Sequence, residues 1–121
     1  MKWFSDVSEL PSVYLHRRPV DFRKAVNGLC VIVEQEMGLS PYDASLYVFC
    51  NRSKDKLKIL HWDRTGFVLW YKRLEKEKFK WPLRDSLDVI CVDSASFHWL
   101  LSGLEIYPPR GHTPLYYQSV S

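Results

Sequence analysis

The sequence predicts an α+β fold, an antiparallel β-meander sheet packed against one long helix with a second short helix near the C-terminus. Three observations carry that prediction. Apolar residues recur at helical spacing from Phe22 to Met37. Two runs that mix apolar with basic side chains, Lys56 to Trp62 and Phe67 to Leu74, flank a short polar turn. The chain has 121 residues, 46% of them hydrophobic, which is enough to bury one core, and the apolar stripes of helix and sheet need each other to do so.

In chain order, Val13-Tyr14-Leu15 reads as a short strand, and Arg17-Arg18-Pro19-Val20 as a basic turn. Asp21 follows as a helix N-cap, with Phe22, Ala25, Val26, Leu29, Ile32, Val33 and Met37 on the buried stripe and Gly38 as the stop. Ser40-Pro41-Tyr42-Asp43 is turn chemistry, and Leu46 to Cys50 is an apolar run suited to a buried strand. After the polar stretch Asn51 to Asp55, side-chain alternation puts Lys56 and Lys58 on the face opposite Leu57 and Ile59. Asp63-Arg64-Thr65-Gly66 should close a hairpin, with Gly66 expected to supply the positive φ, although the register stays open. Glu75 to Lys78 connects to another strand at Phe79-Lys80-Trp81, and Asp88 to Val92 forms the last. Asp93 or Ser94 then caps a helix carrying Phe97, Leu100, Leu101 and Leu104, with Gly103 at its fraying end. The domain is expected to span 1–106, and Pro108, Pro109 and Pro114 mark 107–121 as an extended or mobile tail.

Composition narrows the chemistry. Aromatic residues are 15% of the chain, five of them Trp, so large rings should dominate packing. No apolar run is long enough to cross a membrane, and Met1-Lys2-Trp3-Phe4-Ser5-Asp6 lacks a signal-peptide pattern, so a cytoplasmic location is expected. Cys30, Cys50 and Cys91 are an odd set without paired spacing and read as buried, reduced thiols. His16, His61, His98 and His112 match no zinc spacing, and the isolated glycines make no phosphate loop. Metal-dependent strand transfer would need converging carboxylates, but Asp21, Asp63 and Asp93 each suit a cap or a turn. The expectation is therefore no catalytic residue, metal, cofactor or small-molecule substrate.

Charge is more informative. The net is +3, yet the stretch from Arg52 to Arg84 holds eleven Lys/Arg against four Asp/Glu, leaving six against ten elsewhere. Concentrated positive charge is what attracts phosphates. One candidate group, Arg17, Arg18, Arg23 and Lys24, surrounds the start of the long helix. The other comprises Arg52, Lys54, Lys56, Lys58, Arg64, Lys72, Arg73, Lys76, Lys78, Lys80 and Arg84, interleaved with Trp62, Trp70 and Tyr71 as rings for base stacking or partner contact. The bland alternative is a solvated sheet face with its rings in the core and Arg23 paired to a nearby acid. The nucleic-acid reading requires these cations to converge on the sheet face opposite the helix, or on its rim.

Three blocks together resemble one family. Val13-Tyr14-Leu15 with Asp21-Phe22-Arg23-Lys24 and Gly28-Leu29, then Leu57 to Asp63 with Gly66 to Glu75, and last Phe79-Lys80-Trp81-Pro82, are similar to the TnpB accessory protein of the insertion sequence 66 family. The match runs from about Val13 to Ile106, with Trp70-Tyr71-Lys72-Arg73-Leu74 its most specific part. The resemblance implies a small protein encoded beside a larger transposase that carries the catalytic acids. Expected partners are DNA, in particular transposon ends, and that separately encoded transposase. The alternative is a protein-interaction module that assembles or stabilises the transposase without touching DNA.

Overall fold

The computed structural model describes residues 11–82 and 86–103. Strand β1 (Val13–His16) leads into helix α1 (Val26–Gln35), then β2 (Leu46–Cys50), β3 (Lys56–Asp63), β4 (Gly66–Arg73), β5 (Val89–Val92) and helix α2 (Ser94–Leu101). The expected tail, Leu104 and Arg84 lie outside the described residues.

The strands form one five-stranded sheet in the order β4-β3-β2-β1-β5. Among the described residues only β2, β3 and β4 make a meander. β1 lies parallel to β2, with Val13 opposite Leu46 and Leu15 opposite Val48, while β5 runs antiparallel on its other side. The expected all-antiparallel meander is thus corrected. The sequence between β1 and β2 is long enough to hold a helix, and such a crossover returns the chain parallel. Leu46 to Cys50 takes the centre of the sheet and is buried at every position, as its continuous apolar run predicted.

Alternation along the strands separates two apolar clusters. Val13, Leu15, Leu46, Val48, Cys50, Leu57 and Ile59 point to one side, where Phe97 and Leu100 of α2 cover them together with Phe79 and Trp81. Tyr47, Phe49 and Leu60 point to the other, against Leu29, Ile32 and Val33 of α1. Both faces are therefore occupied, which corrects the first of the two places expected for the lysines, the face opposite the helix, and leaves its rim. Phe79 and Trp81 do pack inward, but as irregular chain rather than as a strand.

The long helix is also shorter than its apolar stripe. α1 has ten residues and starts from Ala25 with no side-chain cap. Asp21 does not cap it. Its carboxylate instead accepts the Arg23 backbone N–H at 2.9 Å, and Lys24 N–H closes a turn on the Asp21 carbonyl. Lys58 Nζ, on β3, donates to the carbonyls of Phe22 and Lys24, both at 2.8 Å. At the other end, buried His16 of β1 reaches Glu36 through Nε2 at 2.9 Å and the Arg18 carbonyl through Nδ1 at 2.8 Å. α1 therefore runs across the strands from β3 to β1. Ten residues at about 1.5 Å each cover roughly 15 Å, enough to cross two strand spacings of about 4.8 Å. Gly38, at φ +68°, lets the chain double back so that Leu39 N–H meets the Val33 carbonyl.

The hairpin register is fixed by Asp63 opposite Gly66 and Trp62 opposite Phe67, a two-residue turn. Its positive φ falls on Arg64 (52°) and not, as expected, on Gly66. Of the two caps expected for α2, Asp93 or Ser94, it is Asp93 that serves, accepting Ser96 N–H at 2.7 Å. The three thiols are free, but only Cys50 is buried; Cys30 is half-buried and Cys91 exposed. The expectation of three buried thiols is corrected accordingly. Among the described residues no helix is long and apolar enough to cross a membrane.

Candidate nucleic-acid interface

Topology gathers most of the predicted cations at one end of the sheet. β1 and β2 finish there, β3 begins there with Leu57 opposite Cys50, and β4 returns there with Arg73 opposite Lys56. The segment after β4 then crosses that end. Leu74 N–H donates to the Asp55 carbonyl at 2.8 Å, Phe79 N–H to Lys54 at 2.7 Å, and the Trp81 indole N–H to Arg17 at 2.7 Å. Arg17, Arg18, Arg52, Lys54, Lys56, Arg73, Lys76, Lys78 and Lys80 all stand on these converging pieces. Phe22 and Lys24 join them through Lys58, whose Nζ also lies 4.9 Å from the Phe22 ring centroid. Among the described residues Arg64 is the one predicted cation at the opposite end, in the β3–β4 turn. Lys72 faces the α2 side and donates to the Leu101 carbonyl at 2.5 Å.

The loop between β2 and β3 is built by Asn51. Its Oδ1 accepts the backbone N–H groups of Asp55 and Lys56, and its Nδ2 donates to the Asp55 carboxylate at 2.7 Å. Lys54 adopts φ +63° to complete the bend. Lysines brace the loop from outside: Lys54 Nζ lies 3.4 Å from the Arg52 carbonyl and Lys78 Nζ 2.8 Å from Ser53.

Carboxylates are present too. Arg17 and Arg18 share Asp88 at 3.2 and 3.0 Å, Arg23 holds Asp21 at 2.6 Å, Arg73 holds Glu75 at 2.8 Å, and Lys56 meets Asp55 at 3.4 Å. Hydrogen bonds from Arg23 draw the Asp21 carboxyl down to about 2. Asp88 is lowered chiefly by Arg18, and Asp55 chiefly by the Asn51 amide. Among the described residues Lys24, Arg52, Arg64, Lys76 and Lys80 make no ion pair, and Lys54, Lys58, Lys72 and Lys78 donate only to backbone carbonyls.

A family model, described as IS66 Orf2 like protein, matches residues 11–111. The chain belongs to the IS66 Orf2-like family. Two curated proteins of Sinorhizobium fredii (strain NBRC 101917 / NGR234) are similar to it. Uncharacterized protein y4jC is 34% identical over 89 residues, covering 73% of this chain and 74% of its own length. Uncharacterized protein y4hO is 32% identical over 98 residues, covering 81% and 84%. No solved structure matches the chain significantly. Membership supports an accessory role in transposition.

In this IS66 Orf2-like chain the rings named from sequence divide. Tyr71 is 52% exposed on edge strand β4, opposite Lys58. Trp70 is partly buried against the α2-side cluster. Trp62 packs with Phe67 and with Tyr42, itself 60% exposed, at centroid separations of 4.9 and 5.1 Å. That three-ring group lies at the Arg64 end. Asp21, Asp63 and Asp93 do not meet, and among the described residues no three of His, Cys, Asp and Glu are grouped to hold a metal ion. Neither Asn51 nor Phe22 was among the candidate site residues, Phe22 having been read as part of the buried helical stripe. Asn at the head of a polar loop is the usual sign of a side chain that organises the following backbone.

Proposed function

We propose that this chain is a non-catalytic accessory protein of transposition that binds DNA through the basic end of its sheet, where the β2–β3 loop, the start of β3, the end of β4 and the 74–81 segment meet. The observation that supports the reading is the convergence of Arg52, Lys54, Lys56, Arg73, Lys76, Lys78 and Lys80 on that end, while Arg64 stands far from it. Most are exposed. Exposed ion pairs such as Arg73–Glu75 contribute little to stability, so a phosphate can replace the carboxylate at small cost. Lysines already bonded to carbonyls keep their charge and one or two further donors. The separately encoded transposase supplies the chemistry, and transposon ends are the DNA.

Binding of this kind releases counterions. If about five phosphates are neutralised, the logarithm of affinity should fall against the logarithm of salt with a slope near −4.5. A titration of labelled duplex at several salt concentrations measures it. Affinity that ignores salt would defeat the proposal.

A second reading has its own observation, the surface group Tyr42, Trp62 and Phe67 at the opposite end. Tyr42 is exposed and rests on two half-buried rings, and an aromatic cluster that reaches the surface is a common interface anchor. A contact with the transposase there predicts co-purification that survives nuclease and is lost in Trp62→Ala, with DNA affinity unchanged.

A further inference from the structure

Beside the basic end, between the 19–22 turn and the 51–56 loop, lies an open cavity of about 460 Å³. Its size falls within the range of roughly 300–1,000 Å³ that small-ligand sites occupy. One wall is rich in donors, for a reason that can be traced atom by atom. Every carbonyl of the loop from Asn51 to Lys54 already accepts a hydrogen bond: Asn51 from Lys54 N–H, Arg52 from Lys54 Nζ, Ser53 from Lys78 Nζ and Lys54 from Phe79 N–H. The N–H groups of Arg52 and Ser53, the Ser53 hydroxyl and the Arg52 guanidinium have no partner among the described residues. Lys56 adds a cation held only loosely, 3.4 Å from Asp55. A loop whose acceptors are all satisfied and whose donors are open favours an anion.

The opposite wall is of another kind. Val20 is buried and Phe22 half-buried, and Lys58 Nζ fixes the Phe22 ring by lying over it. Asp21 also lines the cavity, its carboxylate engaged by Arg23. A bare phosphate would use the donor wall alone and leave most of the volume empty. A continuous duplex keeps its bases stacked away from the protein. A single nucleotide offers a phosphate for the donors, a flat apolar ring for Phe22 and Val20, and amino groups that Asp21 can accept.

We infer that this cavity receives one unpaired nucleotide of a DNA strand, its phosphate meeting Arg52, Ser53 and Lys56 and its base lying against Phe22 and Val20. The inference rests on the DNA-binding reading above and narrows it: the protein prefers strand ends and junctions, where a nucleotide is free to turn outward, over unbroken duplex.

The test uses the full chain and two labelled DNAs of one sequence, a blunt duplex and the same duplex with a short single-stranded overhang, compared by fluorescence anisotropy. The overhang should bind roughly tenfold more tightly, as one seated base allows. Arg52→Ala and Phe22→Ala should remove that preference. Lys80→Ala, outside the cavity, should weaken both DNAs alike and leave their ratio unchanged. Equal, salt-sensitive binding of the two DNAs overturns the nucleotide site and leaves the DNA-binding reading standing, whereas no binding of either overturns both. Because Phe22→Ala can disturb the turn, wild-type protein is also titrated with a deoxynucleoside 5′-monophosphate and with inorganic phosphate while backbone amide resonances are followed. Shifts at Arg52 and Ser53 that saturate at lower nucleotide than phosphate concentration support the inference; equal saturation overturns the base-binding half of it.

Discussion

Lys58 carries both a charge and a set of donors, and the fold uses the donors. Its Nζ closes the carbonyls of Phe22 and Lys24, so the chain entering α1 is held by a β3 side chain rather than by a cap of its own. Replacing Lys58 with Met keeps the stem but strands both carbonyls, and stability should fall by about 1–3 kcal/mol in urea denaturation. An unchanged midpoint would show that water satisfies them equally well. Cys50 behaves oppositely, since the fold favours its uncharged form. Burial pushes its thiol from the ordinary 9.0 up to about 12. The unfolded chain loses that proton first, so the stability the neutral thiol contributes is intact below pH 9 and is lost as pH rises toward 12. Stability across that window, read from denaturation midpoints, should fall less steeply in Cys50→Ala than in the parent, with a constant offset for the lost sulfur. Parallel curves would mean that the thiol is not the titrating group. The burial of Cys50 was legible in its apolar run, whereas the role of Lys58 was not. A lysine alternating with Leu57 and Ile59 reads as solvent-facing charge, and only the long-range return of residues 22–24 turns it into a brace.

Among the elements, those governed by local pattern were readable and those governed by packing were not. β2 was legible because a strand buried on both faces needs an uninterrupted apolar run. The α2 cap was legible because Asp93 immediately precedes its helix, and the bond to Ser96 N–H is local. Asp93→Ala should cost about 1 kcal/mol by loss of that acceptor. The measurement is thermal unfolding, where Ser94→Ala provides the contrast because Ser94 is not the cap. The start of α1 was illegible. Asp21 has a cap's residue type but spends its carboxylate on Arg23, and the helical spacing of Phe22 and Ala25 is a coincidence of two residues that lie before the first turn. Phe79 and Trp81 alternate as a strand would, yet they lie over one face of the sheet and pair with neither edge strand, β4 or β5. Alternation says which side chains point inward, not whether the backbone pairs.

At the scale of the whole molecule, the arrangement of charge separates two groups that composition lumps together. The eight residues of β3 span roughly 23 Å at about 3.3 Å per step, and the screening length at physiological salt is about 8 Å. Arg64, at one end of that strand, is thus electrically independent of Lys54 and Lys80 at the other, although all three fall in the same basic stretch of sequence. The sequence showed that positive charge was concentrated; which end held it depended on β3 and β4 meeting in register and on the 74–81 segment folding back over the loop. Reversal at the two ends should therefore have different consequences. Lys54→Glu together with Lys80→Glu should reduce duplex affinity by an order of magnitude or more at moderate salt and make the salt slope shallower by roughly 1.8, as loss of two phosphate contacts requires. Arg64→Glu should alter affinity by less than about twofold and leave the slope in place, since a surface charge several screening lengths from the bound strand is barely felt. Equal effects of the two reversals would mean that DNA lies along the length of β3 or engages the turn, and the sheet end would lose its claim to the phosphates.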